Sequence, residues 1–433
     1  MDFQIPILDW SPASPTPQVE AFLRRPPFDE RAEAAAAKCL ADIRARGLDA
    51  VLDACRAFDH ADLTPEDIRV TEAELDAAEA ACDEDVKTAI RQSATRVMAF
   101  AKAGLRDDWD VRTFHGGRLG ERFHPMDRVG VYIPGGTAPL ASTSIMTVVL
   151  AKAAGVKEIV ACTPARDGKA VSAPLLHALR VAGATEVYRV GGIQSIGMMA
   201  YGAGIRPVEL IAGPGNAYVT AAKRQVYGTV AIDQVAGPSE ICVLADRAGN
   251  PKWIAADLLS QAEHGSGLEK SLLVTDSREF AEAVHAQVLG QLARRGRRAI
   301  IERMLANGGM LMAVVPDLEA GVLLCNRFAA EHLELQVADA EAVLPKITCA
   351  GAVFVGYWTP ESAGDFVAGP SHVLPTGGAA RMFSGLTAET FRRRSSFVEF
   401  TKEDLAETRK AIETFGRLEG LDGHAYAATA RFE

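Results

Sequence analysis

Two long stretches of this chain alternate short apolar runs with helix-patterned segments, and that alternation limits its fold more than any other feature. In the first stretch, Val129 to Ile133, Glu158 to Cys162, Glu186 to Val190 and the run "PVELIAG" read as strands. Helical patterns follow them: "STSIMTVVLAKAAG", "APLLHALRVAG", a segment opening near Gln194, and "NAYVTAAKRQVYG". In the second stretch the strands are "EICVLAD" (Glu240 to Asp246), "SLLVTD" (Ser271 to Asp276), "MLMAVV" (Met310 to Val315) and "GAVFVG" (Gly351 to Gly356). Parallel neighbours need a crossover, and a helix supplies it. Strands covered on both faces read as continuous apolar runs. An α/β fold with parallel sheets is expected, and the two series have the form of an internal duplication.

The flanks differ. From about residue 28 to 105 the chain is rich in Ala, Glu and Asp with helical spacing. One helix is expected to stop at Gly47, and Thr71 with Glu74 fits a capping box opening a second run to about Gly104. After about Arg392 the chain reads as helical and charged.

Charge and cysteine usage narrow the function classes. Lys plus Arg number 46 against 56 Asp plus Glu, a net charge of −10. That opposes nucleic acid or an anionic membrane as a partner. The basic cluster "FRRRSSF" (Phe391 to Phe397) is short, and suits a solvated face or a local anion site. No apolar run reaches 18 residues, and the first residues lack the pattern of a secretory signal. The seven cysteines include no CxxC pair, which suits free thiols in a reducing compartment. A cytoplasmic location is expected.

Four glycine-rich turns lie near strand ends: "IPGG" (Ile133 to Gly136), "VGGIQSIG" (Val190 to Gly197), "AGPGN" (Ala212 to Asn216) and "AGPSE" (Ala236 to Glu240). Such turns let a phosphate approach the backbone near a helix N-terminus, although tight-turn geometry alone also explains glycine there. The tripeptide Ala-Glu-His occurs twice. In "QAEHG", Gln261 and His264 stand three apart, so on a helix both face one way and can share a metal. In "AAEHLEL", Glu331 and His332 are adjacent, so on a helix they diverge by about 100° and suit two separate base roles. "SAGDFVAGPSHVLPTGG" places Asp365 and His372 in a Gly- and Pro-punctuated loop, and "RLEGLDGHAYAATAR" carries Glu419 and His424. Surface helix turns account for several of these residues equally well.

Taken together, "GVYIPGG", "AGPGNAYVTAAKRQV", "AIDQVAGPSE", "DLLSQAEHG", "NRFAAEHLEL" and "GDFVAGPSHVLPT", followed by Glu419 and His424, resemble the histidinol dehydrogenase family. The segments run in family order and cover most of the chain from about residue 120. The resemblance implies a zinc enzyme of histidine biosynthesis that oxidises L-histidinol to L-histidine through the aldehyde, using two NAD. It implies Gln261, His264, Asp365 and His424 as zinc ligands, His332 as base for the alcohol step, and Glu331 as activator of water for the aldehyde step. Substrate contacts would be Ser239, Gln261, His264, His332, Asp365, His372, Glu419 and His424. NAD contacts would be Tyr132, Gln194 and Asn216.

The implied fold is two related incomplete Rossmann-like domains with parallel sheets, plus helical N- and C-terminal additions. The implied division is an N-terminal arm (1–25), a first domain with a helical N-terminal part (26–128 and 240–385), a second, NAD-contacting domain (129–239), and a helical C-terminal arm (386–433). A homodimer whose arm completes the partner's site is expected. The sequence departs from the family at Gly265-Ser266-Gly267, where Asp-Pro is usual, at Ser371, where Asn is common, and at "RRRSSF". These departures bear on substrate, since relatives on this scaffold oxidise other polar alcohols such as sulfonated diols. A zinc hydrolase using Glu331, or a non-catalytic metal-binding protein, are the readings from other classes.

Overall fold

The computed structural model describes residues 5–25, 28–135, 140–165 and 168–433. Two parallel sheets organise it. A five-stranded sheet runs Glu186–Tyr188, Glu158–Cys162, Arg128–Tyr132, Leu210–Ala212, Ala231–Ile232 from edge to edge. A six-stranded sheet runs Ile7–Asp9, Met310–Val314, Lys270–Thr275, Glu240–Ala245, His332–Gln336, Ala352–Val355. Numbered along the chain within each unit, both sheets have the order 3-2-1-4-5, the second extended by the N-terminal strand. The two apolar series therefore form the same Rossmann-like half, twice. In each sheet the winding reverses between the first and fourth strands, where a crevice opens at the carboxyl edge.

The strands are buried on both faces, as their sequences require. Helix Ala141–Ala154 is apolar nearly all round because it lies between the five-stranded sheet and helix Glu84–Ala103, with Val97, Ile145 and Met146 in one core. Helices Glu30–Arg46 and Leu48–Ala54 cover the opposite face, where Leu40 and Ile43 meet Ile196, Met199 and Val219. A Cβ on Gly197 would stand 2.7 Å from Ile43, so glycine sets that helix–helix approach. The expected capping box forms: Thr71 Oγ1 accepts from Glu74 N, while Glu74 returns to Thr71 N.

Three expectations are corrected. The helices of residues 30–103, which the family pattern attached to the 240–385 unit, pack instead on the five-stranded sheet of 129–239, because their apolar faces match its covering helices. The N-terminal segment is woven into the larger sheet. Its strand pairs with Met310–Val314, and Phe22 stacks on Phe328 with ring centres 5.9 Å apart. The segment after Arg392 is not wholly helical. Arg392–Glu399 is a strand, antiparallel to Arg118–Pro125, which also pairs with Trp109–Arg112. Its "RRR" is a run of paired charges: Arg392 with Glu389, Arg393 with Asp127 and Glu209, Arg394 with Glu121. Those pairings answer the cluster's charge with carboxylates of this chain, against the anion-site alternative. Helices Lys402–Leu418 and Asp422–Thr429 then close the chain.

Among the described residues no helix is long and apolar enough to cross a membrane. The cysteines are free, in keeping with the expectation.

Candidate active site

The second Ala-Glu-His leads into a strand, correcting the helical reading. Helix Leu318–Phe328 ends where Ala329 turns to a left-handed φ of 51°, and His332 opens the strand His332–Gln336. The alternating "HLELQ" is wholly buried between Glu240–Ala245 and Ala352–Val355, so His332, Glu334 and Gln336 share one face. Glu331 and His332 thus sit at the amino edge of the sheet, and not at the carboxyl edge where ligands of open α/β sheets usually bind. They are 6% and 2% exposed.

The environment of His332 is dense in acceptors. Its Nδ1 is 2.9 Å from Gln261 Oε1 and 3.2 Å from the Glu240 carbonyl, which requires Nδ1 to carry a proton. Glu361 and Glu331 carboxylate oxygens stand 3.5 and 3.8 Å from the same nitrogen. Nε2 faces Asp365 at 3.6 Å. Burial alone would lower the imidazole pKa, but Glu331, Glu361 and Asp365 outweigh it and raise it to about 10. Burial pushes Glu331 up to about 7, against the pull of His332 and a hydrogen bond from Ser239. Glu331 also accepts from Glu240 N at 3.1 Å. Glu361 is raised to about 8, again mainly by burial. Asp365 overcomes its burial through His332, His372 and His264 and falls to about 2.

Glu361, in "TPESAGDF", was not singled out in the sequence. Helix Glu361–Phe366 puts Glu361 and Asp365 one turn apart, a spacing that a search for paired carboxylates would find. The helix is held from behind. Glu361 N donates to Glu334 Oε1 at 2.8 Å, and Glu361 accepts from Ser260 Oγ at 2.9 Å. Glu334 is fully buried beside Asp257, whose pKa burial raises to about 6.

The first Ala-Glu-His closes the cluster. Helix Pro251–Ala262 carries Gln261 on its last turn, and His264 follows in a turn with its N bonded to the Gln261 carbonyl at 3.4 Å. Ligand atoms of His264, Glu361 and Asp365 lie within 4.8 Å of one another. Gln261 is fully buried, and its Nε2 has no hydrogen-bond partner. The unusual "GSG" has a local reason. Gly265 and Gly267 adopt φ of 115° and 78°, a region that favours glycine, and Ser266 uses a backbone N–H that a proline there would lack. Glu269 accepts from Ser266 N and Gly267 N, while Arg303 and Asn307 donate to the Gly265 and Gly267 carbonyls.

His372 bridges the two sheets' elements. Its Nδ1 donates to the Asp365 carbonyl at 2.9 Å, and Nε2 lies 3.2 Å from Thr143 Oγ1 on helix Ala141–Ala154. Ser371 Oγ donates to the Met146 carbonyl at 2.9 Å, a role that accounts for serine at that position. A cavity of about 140 Å³ lies against His332, Asp365, Phe354 and His372.

The expected dinucleotide residues lie at the switch point of the smaller sheet. Tyr132 ends the central strand and is buried, as is Gln194, whose Nε2 donates to Asp59 at 2.8 Å. Asn216 is exposed and caps helix Ala217–Val226, accepting from Tyr218 N and Val219 N. Gly136 of "IPGG" lies outside the described residues. Glu419 and His424 are exposed on the C-terminal helical pair, and His424 is not in the convergent group. Beside them Phe415, Leu418 and Tyr426 are also exposed, at 62, 73 and 58%.

The sequence model described as histidinol dehydrogenase matches residues 23–432. The chain is 43% identical over 400 residues to a histidinol dehydrogenase of Synechococcus sp., covering 92% of each chain. It is 40% identical over 420 residues to that of Heliobacterium mobile, covering 97% of this chain and 98% of the relative. The crystal structure of histidinol dehydrogenase from Elizabethkingia anophelis superposes with a TM-score of 0.93 at 34% identity, covering 99% of this chain and 98% of that one. The chain belongs to the histidinol dehydrogenase family of oxidoreductases.

Proposed function

We propose that the protein oxidises L-histidinol to L-histidine through histidinaldehyde, with two NAD as hydride acceptors and one zinc ion per subunit, in a cytoplasmic homodimer. The observation that carries this reading is the buried pair Glu331–His332, two adjacent bases in distinct surroundings, with His332 on the cavity it shares with Asp365 and His372.

The side chains fit a divalent cation. Glu331, Glu361 and Asp365 crowd one imidazole, and the burial that raises Glu331 and Glu361 is a cost to their ionised forms that a neighbouring cation would relieve. His264 and Asp365 are convergent donors; Gln261, through the amide oxygen that also faces His332, and a partner's His424 would complete four mixed N/O ligands. Glu361 is the further donor within reach. When bound, the metal would hold the substrate's imidazole and amino groups as a template, and NAD would accept hydride.

The chain's own residues do the proton chemistry. Gln261 and the Glu240 carbonyl fix the proton of His332 on Nδ1, leaving Nε2 toward the cavity. In its neutral form that nitrogen takes the substrate hydroxyl proton as hydride leaves the carbinol carbon. Neutralising the nearby carboxylates returns the imidazole toward the range of a working base. Glu331, at about 7, then takes a proton from water as its oxygen adds to the aldehyde carbon, giving the hydrate from which the second hydride leaves. His372, anchored by Thr143 and the Asp365 carbonyl, lines the substrate cavity.

The carboxylate-rich pocket suits an amino alcohol bearing imidazole and disfavours an anionic sulfonated diol, the alternative substrate class. The exposed aromatic and aliphatic side chains around Glu419 and His424 support the reading that this arm docks on a second copy and completes its site. Counting NADH formed from L-histidinol tests the activity: two per substrate supports it, and turnover of another alcohol with none of histidinol overturns it.

A further inference from the structure

Behind the loop 213–216 lies a polar lock that bears on the dinucleotide reading above. Lys223, on helix Ala217–Val226, is 2% exposed, and the Asp233 side chain facing it is equally enclosed. Lys223 Nζ pairs with Asp233 Oδ1 and donates to the Gly213 carbonyl at 2.8 Å. Asp233 Oδ2 accepts from Gly213 N at 2.8 Å, and Oδ1 accepts from Gln234 N at 2.7 Å. One ion pair thus holds both backbone polar groups of Gly213.

That glycine has no slack. Its φ is +118°, and a Cβ would lie 2.2 Å from the Tyr132 carbonyl. The far side of the lock reaches the other half of the cleft. Gln234 Nε2 donates to the Leu374 carbonyl at 2.7 Å, and Gly237 N donates to Thr376 Oγ1, both just after His372. Burying a charged pair is costly, and apolar residues would fill the same space more cheaply. What they would not supply is the fixed direction of the loop that ends at Asn216.

We infer that Lys223 and Asp233 are positioning residues for the dinucleotide, holding the loop 213–216 in the shape that receives NAD. The inference rests on NAD binding at that loop. The test compares K223M, D233N and the double variant K223M/D233N by three readouts: thermal midpoint, NAD Kd by calorimetry without substrate, and the KM for NAD against kcat.

Each single variant strands a buried charge and lowers the thermal midpoint. The double variant removes both charges and regains much of that loss. NAD Kd and KM stay raised in all three by roughly tenfold, about the loss of one hydrogen bond between the loop and the dinucleotide. A double variant with regained stability and unaltered NAD affinity would show the pair to be merely structural and overturn the inference. If K223M does not accumulate as folded protein, the double variant carries the same comparison. Failure of the unaltered protein to bind NAD would overturn the dinucleotide reading itself, and the inference with it.

Discussion

Replacing Glu331 by Gln separates the two oxidations. The amide keeps the size of the side chain and an oxygen that can accept from Glu240 N, now 3.1 Å from the carboxylate, so the fold is retained. What is lost is a base. Burial raises Glu331 to about 7, so about half of it is ionised at neutral pH and ready to take a proton from water. A positioned general base contributes roughly 10²–10⁴-fold, or about 3–5 kcal/mol of barrier. That loss is expected to fall on the aldehyde step, because His332, the proposed base for the alcohol step, is retained. In stopped flow, E331Q mixed with L-histidinol and excess NAD is expected to give a first NADH at a rate within a fewfold of the unaltered enzyme. The second NADH is slowed by roughly 10²–10⁴-fold, and histidinaldehyde supplied directly is oxidised as slowly. If E331Q oxidises the aldehyde normally, or loses the first NADH equally, the assignment of roles is wrong.

Further outcomes follow from other parts of the structure. H332N is expected to lose the first hydride transfer by roughly 10²–10⁴-fold while metal analysis still finds zinc, because His332 is not in the convergent donor group. D365A is expected to lose both zinc and activity, and zinc readded to chelated unaltered protein is expected to restore turnover. Mixing inactive H424A with inactive H332N and allowing subunit exchange is expected to restore roughly a quarter of full activity, since half the dimers then carry one complete site; no recovery would place the arm in its own subunit's site. Glu186 tests a structural ion pair far from the chemistry: its hydrogen bond from Arg128, opposed by burial, lowers it to about 2. A depressed carboxylate stabilises the fold above its unfolded pKa of about 4.5 and loses that contribution as pH falls toward 2. E186Q is therefore expected to be less stable by about 1–3 kcal/mol at pH 7, with the difference vanishing across that acid window in denaturant titrations.

Much of this structure was legible in the sequence because its elements are locally determined. Continuous apolar runs such as "EICVLA" and "MLMAV" are too short for buried helices and suit strands covered on both faces, and both strands formed. Gly47 and the Thr71–Glu74 box end and begin helices by chemistry within four residues. The strand of His332 was hidden because "EHLEL" carries charge into a fully enclosed position, which periodicity assigns to a helix surface. Glu334 and Glu361 were missed for the same reason: their burial is offset by partners distant in the chain, the Glu361 N–H for Glu334, and Ser260 and His332 for Glu361. The strand "RRRSSFVE" went unseen because neither face is apolar, and its pairing with Arg118–Pro125 rests on contacts nearly three hundred residues away. At the site, the motif residues Gln261, His264, Glu331, His332, Asp365 and His372 come together within one chain. Glu419 and His424 do not, because the elements bearing them pack on the antiparallel ribbon and on each other.

The central claim is a four-electron oxidation run by one buried Glu–His pair, and its most direct measurement is a joint count of products. Purified protein with a limiting amount of L-histidinol and excess NAD, followed to completion, is expected to yield two NADH and one L-histidine for each substrate consumed, with no aldehyde left in solution. One NADH with accumulated aldehyde, or no NADH from histidinol while another alcohol is oxidised, would contradict it.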